Sequence, residues 1–262
     1  MGAISKVERA FYRYVVHHFR MTFPRLPDRS QFNRLHRQYR DAITAFALSL
    51  VTQMQAQDCL DEALDSTAAV TRDAKRRGAG WLPGQADIGW SNRIGWFEGF
   101  HLLLCVNPQG VITGFGFSEA RIHDQHLATT FFALRQTPSP RLSSPGLAAQ
   151  GFYVADKGFA GERPHQQWSH HYAADVVTAP NQRSRHRRWP KSLRSFLAGL
   201  RQIIETINDK LLHTFRLARE RPHDLTGFQA RLAAKVALHT FCLWLNQQLG
   251  RPLLAFATLL DW

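Results

Sequence analysis

The chain has 262 residues, with 33 Lys and Arg against 20 Asp and Glu, a formal net charge of +13. Hydrophobic residues make up 44%, including 18 Phe and 7 Trp, which excludes a disordered basic tail and supplies a real core. No stretch reaches the roughly 18 to 20 apolar residues that span a bilayer, and the charged start is not a signal peptide, so the charge calls for a nucleic acid or an anionic membrane surface.

Residues 1–45 hold nine basic side chains against Glu8, Asp28 and Asp41, with seven aromatics among them. Pro24 and Pro27 divide this segment into two helices. Asp28 opens the second, and the apolar run from Ile43 to Val51 continues it. Leu60 to Asp65 reads as a short strand ending in a carboxylate. Phe100 to Val106 and Val111 to Phe117 flank Asn107-Pro-Gln-Gly, which predicts a hairpin. A helix over 124–134 follows, capped by Asp124. That cap accounts for the His123-Asp124-x-His126 group better than a zinc site does.

Proline and serine at 137–145 mark a loop. Gly151 to Asp156 is a second apolar strand ending in a carboxylate, Glu162 to Tyr172 a helix, and Ala174 to Thr178 another strand. The block at 181–194 carries Arg183, Arg185, Arg187, Arg188, Lys191 and Arg194 with no acid. Charge this dense resists compaction, so it reads as a solvated loop. Its arginines suit phosphate, and Trp189 is either a stacking platform or a core anchor. A long helix runs from Ser192 to Phe215, with Leu193, Phe196, Leu197, Leu200, Ile203, Ile204, Ile207 and Leu211 recurring at three and four. The last helix starts near Asp224, with Leu225, Phe228, Leu232, Val236 and Leu243 on its stripe.

Strands and helices in this order give an α/β layer with a mixed sheet. We divide the chain into a basic helical segment over 1–55, a core over 56–250 and a tail over 251–262. Cys59, Cys105 and Cys242 are odd in number and far apart. They suit small buried groups in a reducing interior, not a disulfide scaffold or a CxxC zinc site. His17, His18, His170 and His171 read as surface residues.

Three acids stand out. Asp65 and Asp156 lie where strands give way to loops, the place where α/β sheets gather ligands. Glu205 lies about 130° from the apolar stripe of its helix, on the side of Arg201, so it is not core. Taken alone it is a surface pair. Taken with the two aspartates it makes an oxygen-rich site suited to Mg²⁺ or Mn²⁺ and phosphodiester chemistry. Asp58, Asp61, Glu62, Asp73, Asp87 and Glu98 are rival acids.

At these residues the sequence resembles a DDE transposase of bacterial insertion sequences, with an RNase H-like catalytic core. Leu64-Asp65-Ser66-Thr67 is similar to the first-aspartate motif and Val154-Ala-Asp156-Lys-Gly-Phe159 to the second. Gly99 to Val106 with its Asn-Pro-Gln-Gly turn, and Glu119-Ala-Arg-Ile-His-Asp124, match the hairpin and the entry to the first core helix. Arg201-Gln-Ile-Ile-Glu205 resembles the motif that brings the third acid. The resemblance implies catalytic and metal-binding roles for Asp65, Asp156 and Glu205 with Mg²⁺ or Mn²⁺. It also implies phosphate contacts from Arg201 and the 181–194 block, with Lys157 and Lys210 in support.

The implied activity is cleavage at transposon ends and strand transfer into target DNA, by a homodimer on paired ends, in the bacterial cytoplasm and away from membranes. The alternatives are another RNase H-like nuclease and an inactive remnant that only binds DNA. Three positions depart from the family pattern. Ala198 stands where a tyrosine is common, and Leu212 and Phe100 stand where lysines are. Related transposases usually begin with a further helical DNA-binding region, so the chain reads as an N-terminally shortened copy.

Overall fold

The computed structural model describes residues 8–73, 80–136, 152–179, 189–219 and 221–260. Helices α1 (Glu8–His18), α2 (Arg29–Gln38) and α3 (Arg40–Gln53) lead into strand β1 (Asp61–Asp73). Next come β2 (Asp87–Ser91), β3 (Gly95–Val106), β4 (Ile112–Glu119) and α4 (Asp124–Gln136). Strand β5 (Phe152–Ala155), α5 (Glu162–Tyr172) and β6 (Asp175–Thr178) follow. The chain closes with α6 (Lys191–Asp209), α7 (Leu225–Gln248) and the short α8 (Ala257–Leu260).

The sheet runs β2-β3-β1-β5-β6, with β4 on the same edge of β3 as β2. Strands β4, β3 and β1 are antiparallel, while β1, β5 and β6 are parallel. Helices cover both faces, and the arrangement is RNase H-like. The faces follow from the two-residue period of a strand. Ala63, Ala69, Leu102, Leu104 and Val154 pack with Leu200, Ile204 and Ile207 of α6 and with Phe228, Leu232 and Val236 of α7. Leu64, Leu103, Cys105, Tyr153 and Ala155 pack on the other face with Phe131 and Phe132 of α4 and Trp168 of α5.

The hairpin turn forms as expected. Asn107 Oδ1 accepts from the amides of Gln109 and Val111, both at 3.0 Å. Gly110 has φ +85°, a conformation that favours glycine.

Several expectations needed correction. The second helix breaks at Tyr39 (φ −94°, ψ 15°), dividing α2 from α3. Strand β1 does not stop at Asp65, because β3 pairs with it from Ala63 to Asp73. The parallel partner β5 pairs only with Asp61 to Leu64, so Asp65 lies beyond the ladder on that side alone. Strand β3 begins at Gly95, five residues early, because β2 supplies it with another partner. Asp124 does not cap α4; the amide of Gln125 donates to His123 Nδ1 at 3.4 Å. The long helix changes to a π turn over Lys210–Thr214, and Leu193 and Phe196 stay exposed. Trp189 packs against the core, which makes it an anchor. Cys105 and Cys242 are buried, Cys59 is half-buried, and all three are free thiols. The loop at 137–145 and Arg183, Arg185, Arg187 and Arg188 lie outside the described residues.

Candidate active site

Asp65 and Asp156 meet because of register. Ala63 pairs with Val154 and Leu64 with Ala155 on neighbouring parallel strands. One step further along each chain are the two aspartates. Both share the parity of Ala63 and Val154, and so face the side of the sheet covered by α6. Asp156 Oδ1 accepts from the amide of Gly158 at 2.7 Å, which closes a single 3₁₀ turn after β5.

The third acid approaches from α6, which crosses β1, β3 and β5. Glu205 is on the outer side of this helix, its side chain 63% exposed, with Arg201 at 3.6 Å. Asp65 is far less accessible. Burial first, and then the facing charges of Asp156 and Glu205, push its carboxyl from 3.8 up to about 7. The Ser66 amide and the Arg201 guanidinium pull the other way and only partly offset this.

Asn208, one turn beyond Glu205, donates from Nδ2 to Asp65 Oδ2 at 3.0 Å. From the opposite face Ser66 Oγ donates to Asp124 Oδ1 at 2.7 Å. His101 Nδ1 lies 3.4 Å from the same oxygen, and the Asp124 carboxyl is held below its usual range although burial opposes this. Asp124 also closes on the second aspartate. A Cβ at Gly158 would lie 2.7 Å from Asp124 Oδ2 and 3.0 Å from Asp156 Oδ1, so any larger residue there must displace a carboxylate.

Asp124 stood out in the sequence, but neither its contacts nor Asn208 did. Asn208 carried a legible signal: a polar residue on the stripe of Ile204 and Leu211. Ser66 and Gly158 carried none beyond their nearness to an aspartate.

The rival acids are engaged elsewhere. Glu62 points to the other face of β1 and forms a bidentate pair with Arg135 at 2.6 and 3.0 Å. Glu98 pairs with Arg72, and Asp87 with Arg121. Asp58 is exposed and Asp61 half-buried at the start of β1.

The basic residues separate into groups. Lys157 is exposed beside Asp156, and Lys191, Arg194 and Arg201 are exposed along α6. Lys210 Nζ sits 4.7 Å from the centre of the Phe256 ring. Where α2 meets α7, Arg34, Arg37, Gln38, Arg40, Asp224 and Thr226 line an open recess of about 300 Å³.

The transposase DDE domain family matches the chain over residues 63–241. The chain belongs to the DDE transposase family. The match opens two residues before Asp65 and ends within α7, so it takes in all of the sheet but the first two residues of β1, and all three acids. No curated protein matches the chain.

The transposase's acidic cluster suits a divalent cation. The donors are all carboxylate oxygens, which hard cations prefer, and a positive charge among them would offset the burial and the repulsion that together lift Asp65. Among the described residues no three His, Cys, Asp or Glu side chains close into a ready cage, and the His123-Asp124-x-His126 group makes none. No helix among them is long and apolar enough to cross a membrane.

Proposed function

We propose that the chain is a DNA transposase that cleaves phosphodiester bonds at transposon ends and transfers the freed strand into target DNA. The observation that carries this reading is the in-register pair Asp65 and Asp156, on one sheet face and under α6, where the Arg201 guanidinium only partly offsets the burial and like charge that raise the Asp65 carboxyl. Asp65, Asp156 and Glu205 would hold Mg²⁺ or Mn²⁺, which activates water and neutralises charge developing at phosphate.

The chain's own residues supply positioning. The strand register holds the two aspartates side by side. Arg201 steadies Glu205 or contacts phosphate, and the exposed Lys191 and Arg194 reach the backbone of the DNA. Arg183, Arg185, Arg187 and Arg188 precede Lys191 in the sequence and add basic charge for phosphate, and Lys157 is exposed beside the second aspartate. The recess at Arg34, Arg37 and Arg40 takes a more distant part of the DNA backbone. Binding through so many phosphate contacts weakens steeply with salt. The active complex contains two copies on paired ends.

Purified chain with Mn²⁺ and oligonucleotides carrying its element's end is the direct test. The wild type nicks and joins them, and Asp65→Ala or Glu205→Ala lowers the rate on the order of 10³-fold or more. Unchanged activity in either variant overturns the site assignment. DNA binding without cleavage makes the chain a binding remnant.

A further inference from the structure

Asn208 is in the wrong place for a structural residue. It lies on the buried side of α6, between Ile204 and Leu211, and is 5% exposed. Asparagine is a poor helix former, and a buried amide is costly unless its hydrogen bonds are made. Here half of the amide is satisfied. Nδ2 reaches Asp65 Oδ2 at 3.0 Å, while Oδ1 is buried with no hydrogen-bond partner among the described residues. A leucine would continue the apolar stripe and leave no orphan acceptor. A local rule broken in this way, beside a buried carboxylate, marks a functional position.

We infer that Asn208 is a positioning residue for the metal site, holding one oxygen of Asp65 and thereby fixing α6, which carries Glu205, against the first-aspartate strand. The inference rests on the transposase reading above. Three features support it. The bond joins the helix of the third acid to the strand of the first, across 143 residues of sequence. Asn208 follows Glu205 by one turn, so a shift of the helix that broke the bond would also displace Glu205. A hydrogen bond to one carboxylate oxygen restricts rotation of the group, as the outer partners of metal ligands do.

The test is Asn208→Leu in the full chain, with Asn208→Ala as a second variant and Asp209→Asn as a neighbouring control. Calorimetric titration with Mn²⁺ gives the metal affinity without reliance on activity. We expect the dissociation constant to rise about 10- to 100-fold in both variants and to stay unchanged in the control. The unfolding midpoint of Asn208→Leu should stay within about 3 °C of wild type, because the lost hydrogen bond is offset by removal of the orphan acceptor. Wild-type affinity retained in Asn208→Leu overturns the role of Asn208 and leaves the transposase reading standing. A midpoint that falls in step with affinity in both variants makes the residue merely structural, and also overturns it. A wild-type chain that takes up no Mn²⁺ overturns the metal-site reading, and the inference with it.

Discussion

Glu62 and Asp65 are three residues apart on β1, and the two faces of the sheet treat them in opposite ways. Glu62 turns toward α4 and meets a cation: Arg135 grips both of its oxygens, and both side chains are 2% exposed. Arg135 also lies over the rings of Phe131 and Tyr153. Asp65 turns toward α6 and meets two more carboxylates and an amide. One face neutralises its buried charge, and on the other Arg201 and the Ser66 amide offset it only in part. Ionising Asp65 is therefore costly, and carboxyls perturbed in this way cluster at functional sites.

The largest effect should come from breaking the neutralised side. Arg135→Met leaves Glu62 buried without its cation, with only the Cys105 thiol donating to it, at a cost of about 3–5 kcal/mol. The double variant Arg135→Met, Glu62→Leu should recover most of it, since apolar packing replaces buried ion pairs well. Urea unfolding measures both, and an Arg135→Met chain as stable as wild type would erase the contrast.

The opposite sign is expected at Asp65. Its carboxyl titrates near 7 in the fold against an ordinary 3.8, so the folded chain binds that proton more tightly than the unfolded chain. Stability therefore falls as pH rises from about 4 through 7. Asp65→Asn removes this loss. The metal-free variant should gain on the order of 2 kcal/mol at pH 8, about half the unscreened value, because the carboxyl keeps some contact with water. The gain should vanish below about pH 4. Thermal unfolding across that range decides the matter, and a variant less stable than wild type at pH 8 would place Asp65 with Glu62.

A smaller effect sharpens the picture of the site. Gly158→Ala puts a methyl between Asp124 and Asp156, where its contacts would be 2.7 and 3.0 Å. Displacing Asp156 slightly should slow cleavage about tenfold, equivalent to 1.4 kcal/mol on the barrier, with little change in unfolding midpoint. Single-turnover rates beside melting curves separate the two effects. An unaltered rate would mean that the loop yields without moving the carboxylate.

Local patterns were legible where the chain alone satisfies them. Helix α5 runs from Glu162 to Tyr172, and the Asn107–Gly110 turn closes as its residues demand. The carboxylates Asp65, Asp156 and Glu205 stood out by type and position. Lengths set by partners were not legible: β1 runs on to Asp73 because β3 pairs with it, and β2 exists because the start of β3 offers an open edge. The supporting residues were hidden for the same reason. Ser66, Asp124 and Gly158 stand in the motifs of the sequence, but their contacts with one another and with Asp156 arise only when distant segments lie side by side.

The sequence by itself determined the excess of positive charge, the apolar stripes that drive helices onto a sheet, and the acids available to a cation, because these depend on residue type and short spacing. Tertiary structure decided which acids meet. Parallel register put Asp156 beside Asp65, strand parity sent Glu62 to the opposite face and Arg135, and the packing of α6 brought Asn208 within 3.0 Å of Asp65. Each of these depends on pairing between segments far apart in the chain, and local preference does not encode it.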